Sequence, residues 1–202
     1  MAKKKGDKYD AILEAAVKVI AANGYANSQI SKIAREAGVA DGTVYLYFDS
    51  KEEMMVDLFN EFLGGFVEEI RHEMSEVTDS AEMLRKLVEA HLTKLESNSE
   101  IAVVCLVELR RPDPKLRKAT GEVLRRYFKL IEQIVEDGQV NGTFNPKLNK
   151  FLVRRMIYGT LDEIVTSWVY NRRYNLKELV PEVYEMLLNS LTWREDSNEQ
   201  LQ

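Results

Sequence analysis

The chain has 202 residues, 45% of them hydrophobic and 30% charged, with a net charge of −5 at pH 7. That is ordinary for a water-soluble, largely helical protein, with room for a small domain and a larger one. One cysteine, Cys105, excludes an intrachain disulfide. No apolar run approaches the roughly 20 residues that span a bilayer, and no signal-peptide stretch opens the chain, so a cytoplasmic protein is expected.

The charge is unevenly divided. Residues 1–51 hold 8 Lys or Arg against 6 Asp or Glu, whereas the remainder holds 20 against 27. A local basic face on an acidic protein suits specific polyanion binding better than general adhesion. Lys3, Lys4, Lys5 and Lys8 lead the positive part, either as an arm on a nucleic-acid backbone or as a solvated tail.

Ile12, Leu13, Ala16, Val17 and Ile20 recur at helical spacing up to Asn23-Gly24, a C-terminal stop. Ile30, Ile33, Ala34 and Ala37 then share one face of a short helix, and Gly38 follows where the chain needs positive φ to leave it. Asp41 is placed to cap a second short helix that carries Val44 and Phe48 inward, one turn apart. Two short helices around a Gly-containing turn make a helix-turn-helix, the geometry that lets a helix enter the major groove of DNA. Tyr45 and Tyr47 stand at neither i, i+3 nor i, i+4 spacing, so at least one ring must face outward.

Ser50 with Glu53 reads as a capping box for a long helix through Met54, Leu58, Phe62 and Phe66, and Gly64-Gly65 marks either a kink or a close approach. Asp79-Ser80 starts a helix carrying Leu84, Leu87, Val88, His91, Leu92 and Leu95. The run from Ile101 to Val107 fits a buried strand by itself, and its helical setting favours a buried helix. Within it Cys105, between Val104 and Leu106, reads as a small apolar residue. Pro112-Asp113-Pro114 is a turn, and the next helix, with Val123, Leu124, Tyr127, Phe128, Ile131, Ile134 and Val135, is expected to end near Gly138. Asn141-Gly142 turns again, and Asn145-Pro146 is expected to cap a helix reaching about Tyr170, followed by one from Leu176 to about Trp193. The fold class is therefore all-α, with about nine helices. Residues 1–48 are expected to form the helix-turn-helix domain and residues 49–195 a larger helical domain, with a frayed tail at 196–202.

The runs Ile33-Ala-Arg-Glu-Ala-Gly-Val39, Gly42-Thr-Val-Tyr-Leu-Tyr-Phe48 and Ser50-Lys-Glu-Glu-Met54 closely resemble the N-terminal domain of the TetR family of bacterial repressors. Val107-Glu-Leu-Arg110 and Tyr158-Gly-Thr-Leu-Asp-Glu-Ile-Val-Thr-Ser-Trp-Val169 resemble the branch that responds to acyl-CoA and represses fatty-acid degradation in Gram-positive bacteria. The resemblance implies a non-enzymatic regulator of double-stranded DNA. On the DNA side it implies that Tyr45 enters the groove and that Gly42 allows the backbone near a base edge. It further implies that Thr43, Tyr47 and Lys51 hold phosphates, with Ser28 and Gln29 at the start of the first short helix. Ser31 of the same helix is a further expected DNA contact, without the strong contact of the Arg that many relatives carry there.

The last two helices are apolar on more than one side. Phe151, Leu152, Met156, Tyr158, Leu161, Ile164, Val165, Trp168 and Val169 occupy the first, and Leu179, Val183, Met186, Leu187 and Leu191 the second. The resemblance makes them the four-helix seam of a homodimer. No cofactor is implied, but an effector is. Arg110, Arg111, Lys115, Arg117, Lys118, Arg125, Arg126 and Lys129 form either a solvated face or an anion pocket suited to phosphates. Phe62, Phe66, Val103, Leu106, Tyr127, Phe128, Tyr158, Leu161 and Trp168 are the apolar set for a ligand tunnel. A long-chain acyl-CoA needs both parts. The alternative is a lipophilic drug, for which Asp162-Glu163 is the feature to examine. His72 and His91, 19 residues apart with no Cys partner at ligand spacing, do not read as a metal site.

Overall fold

A computed structural model describes residues 5–108 and 114–192, without the side chains of 107, 108 and 115–120. The expected contacts Arg110 and Arg111, the Pro112-Asp113 turn, Trp193 and the tail lie outside those residues, as does the side chain of Arg117. Within them the chain is all-helical, with nine α-helices and one π-helical turn.

The DNA-side helices are α1 (Asp7–Asn27), α2 (Ile30–Glu36) and α3 (Asp41–Tyr45). Tyr9, Ile12, Ala16 and Ile20 of α1, Ile33 and Ala34 of α2, Val44, and Phe48 just beyond α3 close one small core. Gly24 leaves helical geometry at φ 74, as the Asn23-Gly24 stop requires, before one more turn to Asn27. Gly38 has φ 68 between α2 and α3, a conformation that disfavours any Cβ. Asp41 is the first helical residue and Ala40 the cap, so the expected side-chain cap is absent and α3 starts one residue earlier.

Helix α4 (Lys51–Met74) begins with the expected capping box. The Ser50 hydroxyl accepts from Glu53 N, and the Glu53 carboxylate accepts from the Asp49 N–H at 2.6 Å. It runs unbroken through Gly64-Gly65. The pair therefore makes no kink, and a Cβ at Gly64 would make only an ordinary contact, 3.6 Å from the Arg126 guanidinium. After α5 (Ser80–Ser97) and α6 (Ser99–Val103) the backbone widens to a π turn at Val104–Glu108. The Ile101–Val107 run is thus helical, with a change of winding that an apolar run does not announce.

Helix α7 (Pro114–Val140) continues past Gly138. That glycine makes room for Phe144, whose ring would lie 2.0 Å from a Cβ. Helix α8 (Lys150–Asn171) starts later than expected. Asn149 caps it by accepting from Phe151 N and Leu152 N, while Asn145 donates its N–H to the Leu191 carbonyl and accepts from Lys147 N in a turn of its own. The chain offers two Asn caps four residues apart, and the tie to the end of α9 (Leu176–Leu191) holds the first in the loop.

A second core joins α4, α5, α7, α8 and α9 through Val67, Leu84, Leu87, Tyr127, Ile131, Ile157, Leu161 and Leu187. The division between cores falls later than residue 48. Met54, Met55, Leu58 and Phe59 of α4 belong to the DNA-side core, together with Val104 and Cys105 of the π turn. Val67, Ile70 and Met74 of the same helix belong to the larger one.

Candidate functional site

The outer face of α2 and α3 is concave. Ser28, Gln29, Ile30, Ser31, Asp41, Tyr45, Asp49, Ser50 and Lys51 line a shallow cleft of about 570 Å³. Four of the expected DNA contacts, Gln29, Ser31, Tyr45 and Lys51, therefore meet on one surface, with Ser28 beneath it. Tyr45 is the outward ring, 55% exposed, beside the exposed Leu46. Tyr47 is half-buried, its ring centroid 6.3 Å from that of Tyr9 and 6.5 Å from that of Phe48. Gly42 is exposed on α3, and a Cβ there would meet nothing within 4 Å. The fold gives no reason for a glycine in that helix.

Two expected contacts have other duties. Ser28 is fully buried, and its hydroxyl donates to the carbonyls of Gly24, at 2.8 Å, and Val19. Its side chain closes the end of α1 and is not available to a phosphate. The Lys51 ammonium donates to the Tyr25 carbonyl at 2.7 Å and lies 4.2 Å from the centre of that ring, which orients it on the cleft with further N–H groups to spare. Lys5 pairs with Glu61 of α4 instead of extending as an arm.

Between α4, α5 and the α6–π segment lies a cavity of about 300 Å³ lined by Phe62, Leu63, Phe66, Leu95, Ile101 and Cys105. Its rim carries Glu61, Glu69 and Lys94, and Lys94 is paired with Glu69 and Glu73. Leu63, Phe66, Leu95 and Cys105 also wall an inner chamber of about 40 Å³ reached by His91, Leu106, Leu124, Tyr127, Tyr158 and Asp162. Burial pushes the Cys105 thiol up to about 12, in keeping with an unreactive apolar residue. Burial also pushes His91 down to about 4, so the ring is neutral. Burial, with Tyr158 and Asp162 nearby, holds the Tyr127 hydroxyl well above its ordinary range. Its oxygen is 2.7 Å from His91 Nδ1. Tyr158 donates to Asp162 at 3.1 Å.

Of the expected effector residues, Phe62, Phe66, Leu106, Tyr127 and Tyr158 meet in these two spaces. Val103 is half-buried and lines neither. Leu161 and Trp168, two turns apart on α8, face the larger core, and the Arg172 guanidinium covers the Trp168 ring at 5.3 Å. Helical spacing alone does not separate a core face from a cavity face, because both want apolar side chains. Across Tyr158 lies a further cavity of about 290 Å³ between α7 and α8, lined by Phe128, Arg154, Arg155, Tyr158 and Gly159. Arg154 and Arg155 were not among the expected contacts, since each reads as one polar position of a helix. Of the basic segment, Arg126 reaches Asn60 behind Gly64.

Comparison with known proteins decides the family. Residues 12–58 match the model of bacterial regulatory proteins of the tetR family, and residues 59–190 match that of the C-terminal region of YsiA-like proteins. The chain belongs to the TetR family of transcriptional regulators. It is 40% identical over 190 residues to the fatty acid metabolism regulator protein of Bacillus subtilis, covering 94% of this chain and 98% of that one. The structure of the fatty acid degradation regulator FadR from Bacillus halodurans superposes with a TM-score of 0.89 at 47% identity, over 95% of this chain and all of that one. FadR from Bacillus subtilis in complex with stearoyl-CoA gives 0.87 at 40% identity, over 91% and 99%.

A TetR-family regulator is not an enzyme. Among the described residues no three His, Cys, Asp or Glu gather as metal ligands, and no helix is long and apolar enough to cross a membrane. The regulator exposes apolar side chains on α8 and α9: Leu152 at 61%, Met156 at 37%, Tyr170 at 70% and Met186 at 64%. Leu152, Met156, Gly159 and Tyr170 fall on one stripe of α8, interrupted by the exposed Glu163, and Gly159 has nothing within 4 Å of a Cβ. Val183 and Leu187, expected in a seam between subunits, are buried in the protomer's own core. Helix α9 packs against α5, which takes that face.

Proposed function

We propose that this regulator is a cytoplasmic homodimeric repressor that binds a two-fold operator through α2 and α3 and is released by a long-chain acyl-CoA. The genes it controls would then be those of fatty-acid degradation. The observation that carries the reading is the relative at 40% identity whose structure holds stearoyl-CoA, joined to apolar cavities walled here by Phe62, Leu63, Phe66 and Leu95.

In this reading Tyr45 touches base edges and Gly42 lets the backbone approach them. Gln29, Ser31, Thr43, Tyr47 and Lys51 position the phosphates. The stripe of Leu152, Met156, Gly159 and Tyr170, with Met186, is the dimer seam, since an unpartnered apolar stripe on two adjacent helices suits a second copy of the chain. The acyl tail occupies the outer cavity, whose rim of Glu61 and Glu69 would repel phosphates. The head group leaves on the Tyr158 side, where Arg154 and Arg155 line the α7–α8 cavity; Arg110, Arg111 and Arg117 of the basic segment are its further phosphate contacts by their chemistry alone.

An acyl-CoA shifts the equilibrium only if it binds the DNA-incompetent arrangement more tightly. Helix α4 is the lever, because one end is packed in the DNA-side core and Phe62, Leu63 and Phe66 wall the cavity. Calorimetric titration of the purified protein tests the ligand class. Stearoyl-CoA should saturate it at one molecule per protomer, and free CoA should bind far more weakly. Binding of a lipophilic cation such as rhodamine 6G with no binding of any acyl-CoA would overturn the reading in favour of a drug sensor.

A further inference from the structure

Asp41, Gly42, Tyr45, Leu46 and Asp49 make the exposed side of α3 and the turn after it, opposite the buried Val44 and Phe48. Gly42, Tyr45 and Leu46 stand at i, i+3 and i+4, so they share one stripe. Leu46 keeps right-handed helical geometry as the residue that ends α3. Its exposure is 82%, more than that of Tyr45, and it is not among the residues that line the cleft. Leu46 was not among the contacts expected of this helix.

A single exposed leucine or valine signals nothing by itself, and Val140 at the end of α7 is as open. Position distinguishes Leu46. It lies one turn beyond Gly42, where nothing among the described residues stands within 4 Å of a Cβ. The glycine marks where DNA comes nearest to the backbone, and a leucine on the same stripe projects past that surface into the groove. Its side chain has no donor or acceptor, so it satisfies neither a phosphate oxygen nor a polar base edge. The stripe carries no Lys or Arg, and Lys51, the cation that lines the cleft, belongs to α4. Among the base edges of the major groove, the thymine C5 methyl is the apolar group.

We propose that Leu46 reads a thymine methyl in each operator half-site, as a second reader beside Tyr45. The proposal rests on α2 and α3 as the DNA face, and it adds a base and the side chain that selects it. In the free protein the leucine is in water, and packing it on the methyl removes apolar surface of both from water. Cytosine presents an amino donor instead, which a leucine leaves unpaired. Consecutive helical residues point about 100° apart, so Tyr45 and Leu46 each take their own base.

The test uses the full-length protein. An operator is selected with wild type from a random duplex pool, and it should hold a thymine at one fixed position of each half-site for Leu46. Each thymine is then replaced in turn by uracil, which removes only the C5 methyl. At the position that Leu46 reads, wild type should weaken about fourfold for one half-site, the factor for one buried methyl, and about sixteenfold for both. Leu46→Ala changes an open surface position and should melt as wild type does. It should bind thymine and uracil alike there, while staying sensitive at any other thymine that wild type senses. Tyr45→Ala should keep the sensitivity at the Leu46 position.

An operator in which no thymine methyl matters would overturn the proposal. A uracil penalty that survives unchanged in Leu46→Ala would overturn it too, by assigning the methyl to another side chain. Equal loss by Leu46→Ala on every duplex would do the same, by placing the leucine against the sugar–phosphate backbone. Each of these leaves the DNA face intact. Failure of wild type to select any duplex would overturn the DNA face itself and the proposal with it.

Discussion

At Gly42 the demands of folding and of binding part. A glycine inside a helix is less stable than alanine by up to about 1 kcal/mol, and around this one, the second residue of α3, nothing among the described residues lies within 4 Å of where a methyl would stand. Gly42→Ala should therefore raise the melting temperature slightly while lowering operator affinity about tenfold, because the methyl would meet DNA. Tyr45→Ala should weaken base discrimination, at about 1–3 kcal/mol for a good base contact. Lys51→Ala should weaken binding to every duplex and reduce the salt slope by about 0.9 for each phosphate that the lysine neutralises. Titrations of matched and mismatched duplexes at several salt concentrations separate the two. His91 makes a pH prediction. Its folded value of about 4 lies below the ordinary 6.5. Between those values the unfolded chain binds the extra proton, so stability falls as pH drops below 6.5, by roughly 3 kcal/mol in total. Melting from pH 8 to pH 4 should show that decrease in wild type and a smaller one in His91→Phe. That at least one of Tyr45 and Tyr47 faces outward was legible in the sequence, because two tyrosines at i, i+2 cannot share a helix face; the spacing did not say which. Ser28 was not, since a hydroxyl before a helix reads alike whether it caps that helix or closes the previous one.

Among the elements, α8 and α9 show where helical periodicity stops informing. Apolar residues on several faces require burial on several faces, but their spacing does not say which face meets the protomer and which meets a partner. Val183 and Leu187 face α5 within the protomer, and Leu152 and Met186 face outward. Val183→Glu should therefore prevent folding, since an unpaired charge in a core costs about 4 kcal/mol or more. Leu152→Glu and Met186→Glu should fold, sediment as monomers and lose tight operator binding. Dimeric sedimentation of both folded variants would move the seam elsewhere. The start of α8 was misplaced for a related reason. Asn145-Pro146 is a good local start signal, and Asn149 prevails because Asn145 is tied to Leu191, a residue 46 positions away in sequence.

For the molecule as a whole, the helix-turn-helix was legible because it is built from local signals at fixed spacing. The meeting of the two cores was not. Helix α4, 24 residues and about 36 Å long, carries Met54 to Phe59 in one core and Val67 to Met74 in the other. The π turn repeats the hand-over within three residues: Val104 and Cys105 join the DNA-side core, and Leu106 joins the larger one. Both links wall the cavities, so a ligand that parts Phe66 from Cys105 acts on both at once. In a dimer, that movement would take the two α3 helices away from the roughly 34–36 Å spacing of one DNA turn. The direct test is release of DNA. An operator selected from a random duplex pool is labelled and bound, and its fluorescence anisotropy is followed during titration. Stearoyl-CoA should release it, and free CoA at the same concentration should not, because free CoA supplies the anion without the wedge. An operator complex insensitive to every acyl-CoA length would contradict the account.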